Sequence, residues 1–268
     1  MLESSEIHNW QSIYMKSFQK ITKLIPNLEG IVVGLNTNVD AIIQITPELL
    51  QKFIRELNIS SLQLEEKIKQ WKGMIDTFED YLIGLSGCFL KGKASEWIIR
   101  NEEVYTELLE RLPIQKNFRI GGQAGIMANI LESQGVPKIF VHSITMPEKL
   151  KNLFTQSERI ILPSLNEEKL VFHSPKSIPT KEEKLYLHII SEFDKDDKLF
   201  FEDGKCISCP RDNRFIATYD PLNAKMEISK GFIYGVKEIA KQSNGIIIAG
   251  YHMLDDTLIY PKTIEEKI

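Results

Sequence analysis

Ile31-Val32-Val33-Gly34-Leu35-Asn36-Thr37-Asn38-Val39-Asp40 is the stretch on which the fold class turns. Its first five residues are a short apolar run, punctuated upstream by Pro26 and Gly30. A strand apolar on both faces needs cover on both, which suits a central parallel strand better than an antiparallel one with a wet face. The stretch turns polar where that strand would end, and open α/β sheets bind ligands at the carboxyl ends of their strands. Residues two apart on an extended segment point the same way, so Asn38 and Asp40 could grip a polyol's hydroxyls together. The competing reading is an Asx-rich turn that holds no ligand.

Upstream, residues 7–24 have helical periodicity, with Trp10, Ile13, Phe18, Ile21 and Leu24 available to one broad face. Downstream, Pro47 opens a helix carrying Leu49, Leu50, Phe53 and Ile54, and 61–85 and 103–112 read as mostly helical. Helix-then-strand units follow: 123–131 with 138–142, 146–155 with 159–162, and 231–242 with 245–250. That alternation indicates an α/β fold with a parallel sheet flanked by helices. Residues 168–228 break the rhythm. There 185–190 and 215–219 are strand-like, separated by charged turns with no good helix between, which predicts an antiparallel β insertion.

With 268 residues the chain is long enough for one or two domains and a sizeable core. A formal net charge of −4 argues against nucleic acid or an anionic membrane as the main partner. No apolar run reaches bilayer length, and the start lacks a signal peptide's apolar core. Cys88, Cys206 and Cys209 give no disulfide framework, so a soluble, reduced, cytoplasmic protein is expected. Cys206 and Cys209 form a lone CxxC with no second pair or His pair at zinc spacing, and no metal ligand is assigned.

Three further groups could carry chemistry. Arg119-Ile120-Gly121-Gly122-Gln123-Ala124-Gly125 places glycines before a helix, where the backbone can approach a ligand and present free amides. It matches neither GxGxxG nor a P-loop, and tight helix packing explains it equally well. His188 lies within a strand of the insertion, where a structural role is the commoner one. Pro210-Arg211-Asp212-Asn213-Arg214 brings two guanidiniums, suited to bidentate phosphate binding, to a turn.

Taken in order, the segments G-L-N-T-N-V-D-A-I (34–42), R-I-G-G-Q-A-G-I-M-A-N (119–129), H-I-I-S-E-F (188–193), P-R-D-N-R-F-I (210–216) and I-I-A-G-Y-H-M-L (247–254) resemble the motif series of the ADP-dependent glucokinase and phosphofructokinase family, within the ribokinase-like superfamily. The resemblance implies a large α/β domain and a smaller β-rich lid. The expected boundaries put 1–37, 46–80, 125–165 and 229–268 in the large domain, and 38–45, 81–124 and 166–228 in the lid. It implies sugar-hydroxyl contacts from Asn38, Asp40, Gly122, Gln123 and His188. Glu96 resembles the lid glutamate that holds glucose in the glucokinase members; a carboxylate accepts two hydroxyls from a neutral sugar and repels a phosphate. Lys176, Arg211 and Arg214 are the candidates for a sugar-phosphate site.

The implied reaction is phosphoryl transfer from ADP, with Mg²⁺, to glucose or fructose 6-phosphate. The family's H-x-E, N-x-x-E and G-A-G-D segments come after the G-Y-H-M-L strand, the last bearing the catalytic base, and none of them follows that strand in this sequence. Residues 261–268 read as the start of a helix. The expectation is therefore an amino-terminal portion that lacks the catalytic residues and is inactive alone, which a second polypeptide could complete. A non-catalytic sugar-binding or regulatory protein is the alternative. An ATP-using ribokinase-type enzyme fits the lid motifs poorly.

Overall fold

A computed structural model describes residues 4–70, 73–114, 117–180, 184–225 and 227–250. In chain order, α1 (Ser4–Leu24) leads to β1 (Ile31–Leu35) and β2 (Asn38–Gln44). Next come α2 (Pro47–Glu56), α3 (Ser61–Lys69), β3 (Met74–Ile75), α4 (Phe78–Lys91), β4 (Ser95–Ile99), α5 (Glu102–Arg111) and β5 (Phe118–Gly121). They are followed by α6 (Gln123–Ser133), β6 (Ile139–Val141), α7 (Glu148–Leu153), β7 (Ile160–Asn166) and β8 (Lys169–His173). The run closes with β9 (Leu187–Phe193), β10 (Lys198–Phe200), β11 (Cys206–Ser208), β12 (Asn213–Thr218), α8 (Lys230–Lys241) and β13 (Gly245–Ala249).

These elements form two compact units. The first takes in the described residues of Met1–Thr37, Ile120–Lys184 and Leu222–Ile268, and the second Asn38–Arg119 and Leu185–Pro221. In the first, the sheet order is β13-β1-β6-β7-β8. Pairing is parallel from β13 to β7, and β8 returns antiparallel along β7. Val33 and Ile139 are fully buried, as the apolar run at 31–35 requires. Helix α6 lies against β1 and β6, and α8 against β7 and β8, so both faces gain helical cover. The expected α/β sheet is present.

Helix α1 forms where the periodicity places it. Its apolar residues, however, stay in solvent: Trp10, Ile13, Tyr14, Phe18, Ile21 and Leu24 are all exposed. The strand expected at 245–250 is β13. The motif residues Tyr251, His252, Met253 and Leu254 and the helix start at 261–268 lie outside the described residues.

In the second unit the order is β3-β4-β12-β9-β2-β5. The expected antiparallel pair is β9 with β12, but the sheet is mixed, because β2 joins β9 and β4 joins β12 in parallel. Alternation explains how β2 fits. Ala41 and Ile43 turn to one face with Ile189, Phe193, Phe215 and Ala217, and helices α2 to α5 close over them. Phe78, Tyr81, Leu85, Phe89 and Leu108 fill that layer; each such side chain contributes about 1.5–3 kcal/mol by leaving water. Residues 46–80, expected in the large domain, therefore pack within this unit. Residues 166–184, expected in the lid, belong to the first unit because β8 extends the hairpin from β7.

Candidate sugar-binding site

The face of the mixed sheet turned away from those helices collects the polar residues. Asn38 and Asp40 alternate with the core residues Val39 and Ala41 along β2. The parallel ladder sets Asp40 opposite His188 on β9. His188 is buried, and its Nε2 lies 3.1 Å from Asp220 Oδ2. The Asn38 amide nitrogen is 2.9 Å from Nδ1 and 3.0 Å from Nε2 of the same ring. On β4, Glu96 accepts a hydrogen bond of 2.8 Å from the buried Thr218 hydroxyl at the end of β12.

Burial lifts the half-buried Asp40 carboxyl above its ordinary pKa. His188 opposes the lift, Glu96 adds to it, and the Arg214 and Arg119 guanidiniums pull the other way. The constellation thus combines three carboxyl groups, an amide, an imidazole and two guanidiniums. Carboxylates accept hydroxyl hydrogens, and amide and imidazole offer both donors and acceptors, which is what a polyhydroxylated ligand requires. Guanidiniums add a place for a phosphate.

Asn38, Asp40, Glu96, His188 and Arg214 thus gather in one unit. Arg211, also of the second unit, is exposed and sits against Gly92 at the end of α4. Gly122, Gln123 and Lys176 belong to the first unit, where Lys176 is exposed on the turn after β8. Gly122 caps α6 with φ +70°, and a Cβ there would come within 2.4 Å of the Asn36 carbonyl oxygen. That carbonyl accepts the Ala124 amide at 3.0 Å, which holds the end of β1 against the start of α6. Glycine is required there by close approach. Gln123, the first residue of α6, is exposed.

Sequence reasoning singles out neither Asp220 nor Thr218. Both follow from one signal it passes over: in Thr218-Tyr219-Asp220 the two polar residues are two apart where β12 ends, as Asn38 and Asp40 are two apart where β2 begins. It also treats His142 only as part of a strand. That imidazole is fully buried in the first unit, 2.7 Å from the Leu35 carbonyl oxygen and 3.1 Å from the Ser229 amide nitrogen. Nδ1–H donates to the carbonyl, Nε2 accepts from the amide, and burial lowers the pKa, so the ring is a neutral brace.

Among the described residues no three His, Cys, Asp or Glu side chains group to hold a metal ion. They do not by themselves form a seat for the Mg²⁺ that the resemblance implies. No helix among the described residues is long and apolar enough to cross a membrane.

Residues 29–268 match the family model of the ADP-specific phosphofructokinase/glucokinase conserved region. The chain is 28% identical over 250 residues to an ADP-dependent glucose/glucosamine kinase of Pyrococcus abyssi, covering 92% of this chain and 52% of that protein. It is 26% identical over 267 residues to an ADP-specific phosphofructokinase of Methanosarcina acetivorans, covering 98% and 53%. Among solved structures, an ADP-dependent kinase in complex with fructose-6-phosphate and ADPβS superposes with a TM-score of 0.72 at 26% identity, over 96% of this chain and 48% of the other. A last common ancestor of ADP-dependent phosphofructokinases from Methanosarcinales superposes with a TM-score of 0.63 at 28% identity, over 93% and 50%. The chain spans about half the length of the curated relatives it matches. A family model that takes in 29–268 and folds of the same kind along nearly all of the chain lead to one conclusion: it belongs to the ADP-specific phosphofructokinase/glucokinase family.

Proposed function

We propose that this chain is the sugar-binding portion of an ADP-dependent kinase that phosphorylates glucose, fructose 6-phosphate or both. The observation that carries the reading is the gathering of Asn38, Asp40, His188 and Glu96 on one face of one sheet. The second unit acts as the lid and the first as part of the large α/β body. Asn38, Asp40 and His188 hold the sugar's hydroxyls, with Gly122 and Gln123 as further contacts, and Glu96 favours an unphosphorylated sugar. Arg214, Lys176 and Arg211 are the candidates for a sugar phosphate, and Arg214 has the strongest support because its charge reaches Asp40.

In the reaction, a sugar hydroxyl oxygen bonds to the β-phosphorus of ADP. The bond from that phosphorus to the α–β bridging oxygen breaks, AMP leaves, and the hydroxyl proton passes to a base. No described residue is assigned as that base. This portion orients the acceptor hydroxyl and keeps water from competing for it.

Calorimetric titration of residues 1–268 with glucose and with fructose 6-phosphate tests the reading. At least one sugar should bind, and Asp40→Asn should weaken it on the order of tenfold, the value of one hydrogen bond to a charged group. Binding of neither sugar, or binding indifferent to Asp40→Asn, would sink it.

A further inference from the structure

We propose that Asp220 is a positioning residue of this site: it fixes the hydrogen on Nε2 of His188 and, through that ring, sets which end of the Asn38 amide faces the sugar. The inference rests on the sugar-site reading above and assigns it a residue outside the motifs that carry the family resemblance.

The chemistry follows from three distances. Asp220 Oδ2 lies 3.1 Å from Nε2 of His188, and both side chains are buried. As a carboxylate Asp220 only accepts, so the hydrogen between them belongs to Nε2. A neutral imidazole carries one N–H, which leaves Nδ1 as its acceptor. The Asn38 amide nitrogen is close to both ring nitrogens, at 2.9 and 3.0 Å. With Nε2 committed to Asp220, Nδ1 alone can take the amide hydrogen. The amide is thereby oriented with its nitrogen toward the ring and its oxygen away from it. That oxygen is the group by which Asn38 can accept a sugar hydroxyl.

Without Asp220 the hydrogen is free to move to Nδ1. Nδ1–H would then meet the Asn38 NH₂, two donors facing each other, and the amide would relieve the clash by turning over or by swinging its hydrogen to the freed Nε2, 3.0 Å away. Either way its oxygen leaves its place, and the site loses a positioned acceptor. The charged group beside this relay is Asp40, opposite His188 on the neighbouring strand, and Glu96 on β4, Arg214 on β12 and Arg119 on β5 act on it in turn. Thr218 lies two residues before Asp220 and directs Glu96 by its 2.8 Å hydrogen bond. One short segment thus orients two of the groups assigned to the sugar.

The test uses the full chain with ¹⁵N-labelled histidine, the His188 signals being identified by their loss in His188→Gln. The wild type should show the Nε2–H form. Asp220→Ala should shift the ring toward Nδ1–H and weaken sugar binding roughly tenfold, about one hydrogen bond. Asp220→Asn, whose amide oxygen can still accept from Nε2–H, should restore both the tautomer and most of the affinity, which a purely structural role would not require. A wild-type ring found as Nδ1–H overturns the proposal, even if the Ala variant fails to fold. An Asp220→Ala ring still in the Nε2–H form, or sugar affinity unchanged when the tautomer moves, overturns it too. If the tautomers behave as expected but the wild type binds neither sugar, the relay stands and the sugar reading falls.

Discussion

Asp40 sits half-buried on the polar sheet face, and burial raises its pKa. Between the ordinary value of 3.8 and the raised one, the folded chain holds a proton that the unfolded chain has released. Stability therefore falls as pH rises through that window, and above it the ionised carboxyl costs the fold its full penalty. Asp40→Asn removes the penalty. At pH 7 the variant should melt higher than the wild type, with the difference shrinking as pH drops through the raised pKa, and the same change should weaken sugar binding. Melting curves across pH read the effect; a variant that melts lower at pH 7 would show that the charge is well paired. Asn38 and Asp40 are legible in sequence because they follow the apolar run of β1, and residues two apart on an extended segment share a direction. Thr218 and Asp220 are not, since their partners lie 122 and 32 residues away and are selected by strand pairing.

At the scale of elements, periodicity shows that a helix has an apolar face but not what covers it. Helix α1 and strand β12 make the contrast. Phe18 on α1 is 55% exposed, whereas Phe215 on β12 is fully buried against Tyr81 and Trp97. Phe215→Ala should cost about 3–5 kcal/mol, the range for emptying a buried aromatic site. Phe18→Ala in the same chain should stay within about 0.5 kcal/mol, as for ordinary surface positions. Urea denaturation of both variants decides, and equal losses would mean that α1 is packed in solution. Strand β2 escapes the sequence reading for a different reason. Asn36-Thr37-Asn38 has the composition of a turn, and only the ladder from Val39–Leu187 to Gln44–Glu192 makes the segment a sheet strand.

For the whole molecule, the α/β class, the parallel sheet of the first unit and the family motifs are legible from sequence; the allotment of residues 46–80 is not. Those helices carry the same periodicity in either unit, and only packing against β2, β9 and β12 decides. Because the curated relatives are about twice as long, the kinase reading leads to a prediction for the complete reaction. Residues 1–268 alone should give no measurable ADP-dependent phosphorylation of glucose or fructose 6-phosphate, since a missing positioned base alone costs roughly 10²–10⁴-fold. Turnover in a coupled assay by the purified chain would overturn this and place a base among these residues. The two units are also interleaved along the chain, the second occupying Asn38–Arg119 and Leu185–Pro221 between parts of the first. On the ribosome this becomes a matter of timing. Asn38 must wait 150 residues for His188 to be made, which at 5–20 residues per second is roughly 8–30 s. Strand β1 waits longer still for β13. Throughout that interval the apolar residues of α2 to α5 are exposed to solvent without β9 and β12, so chaperone demand falls on the nascent chain before Pro221 has emerged.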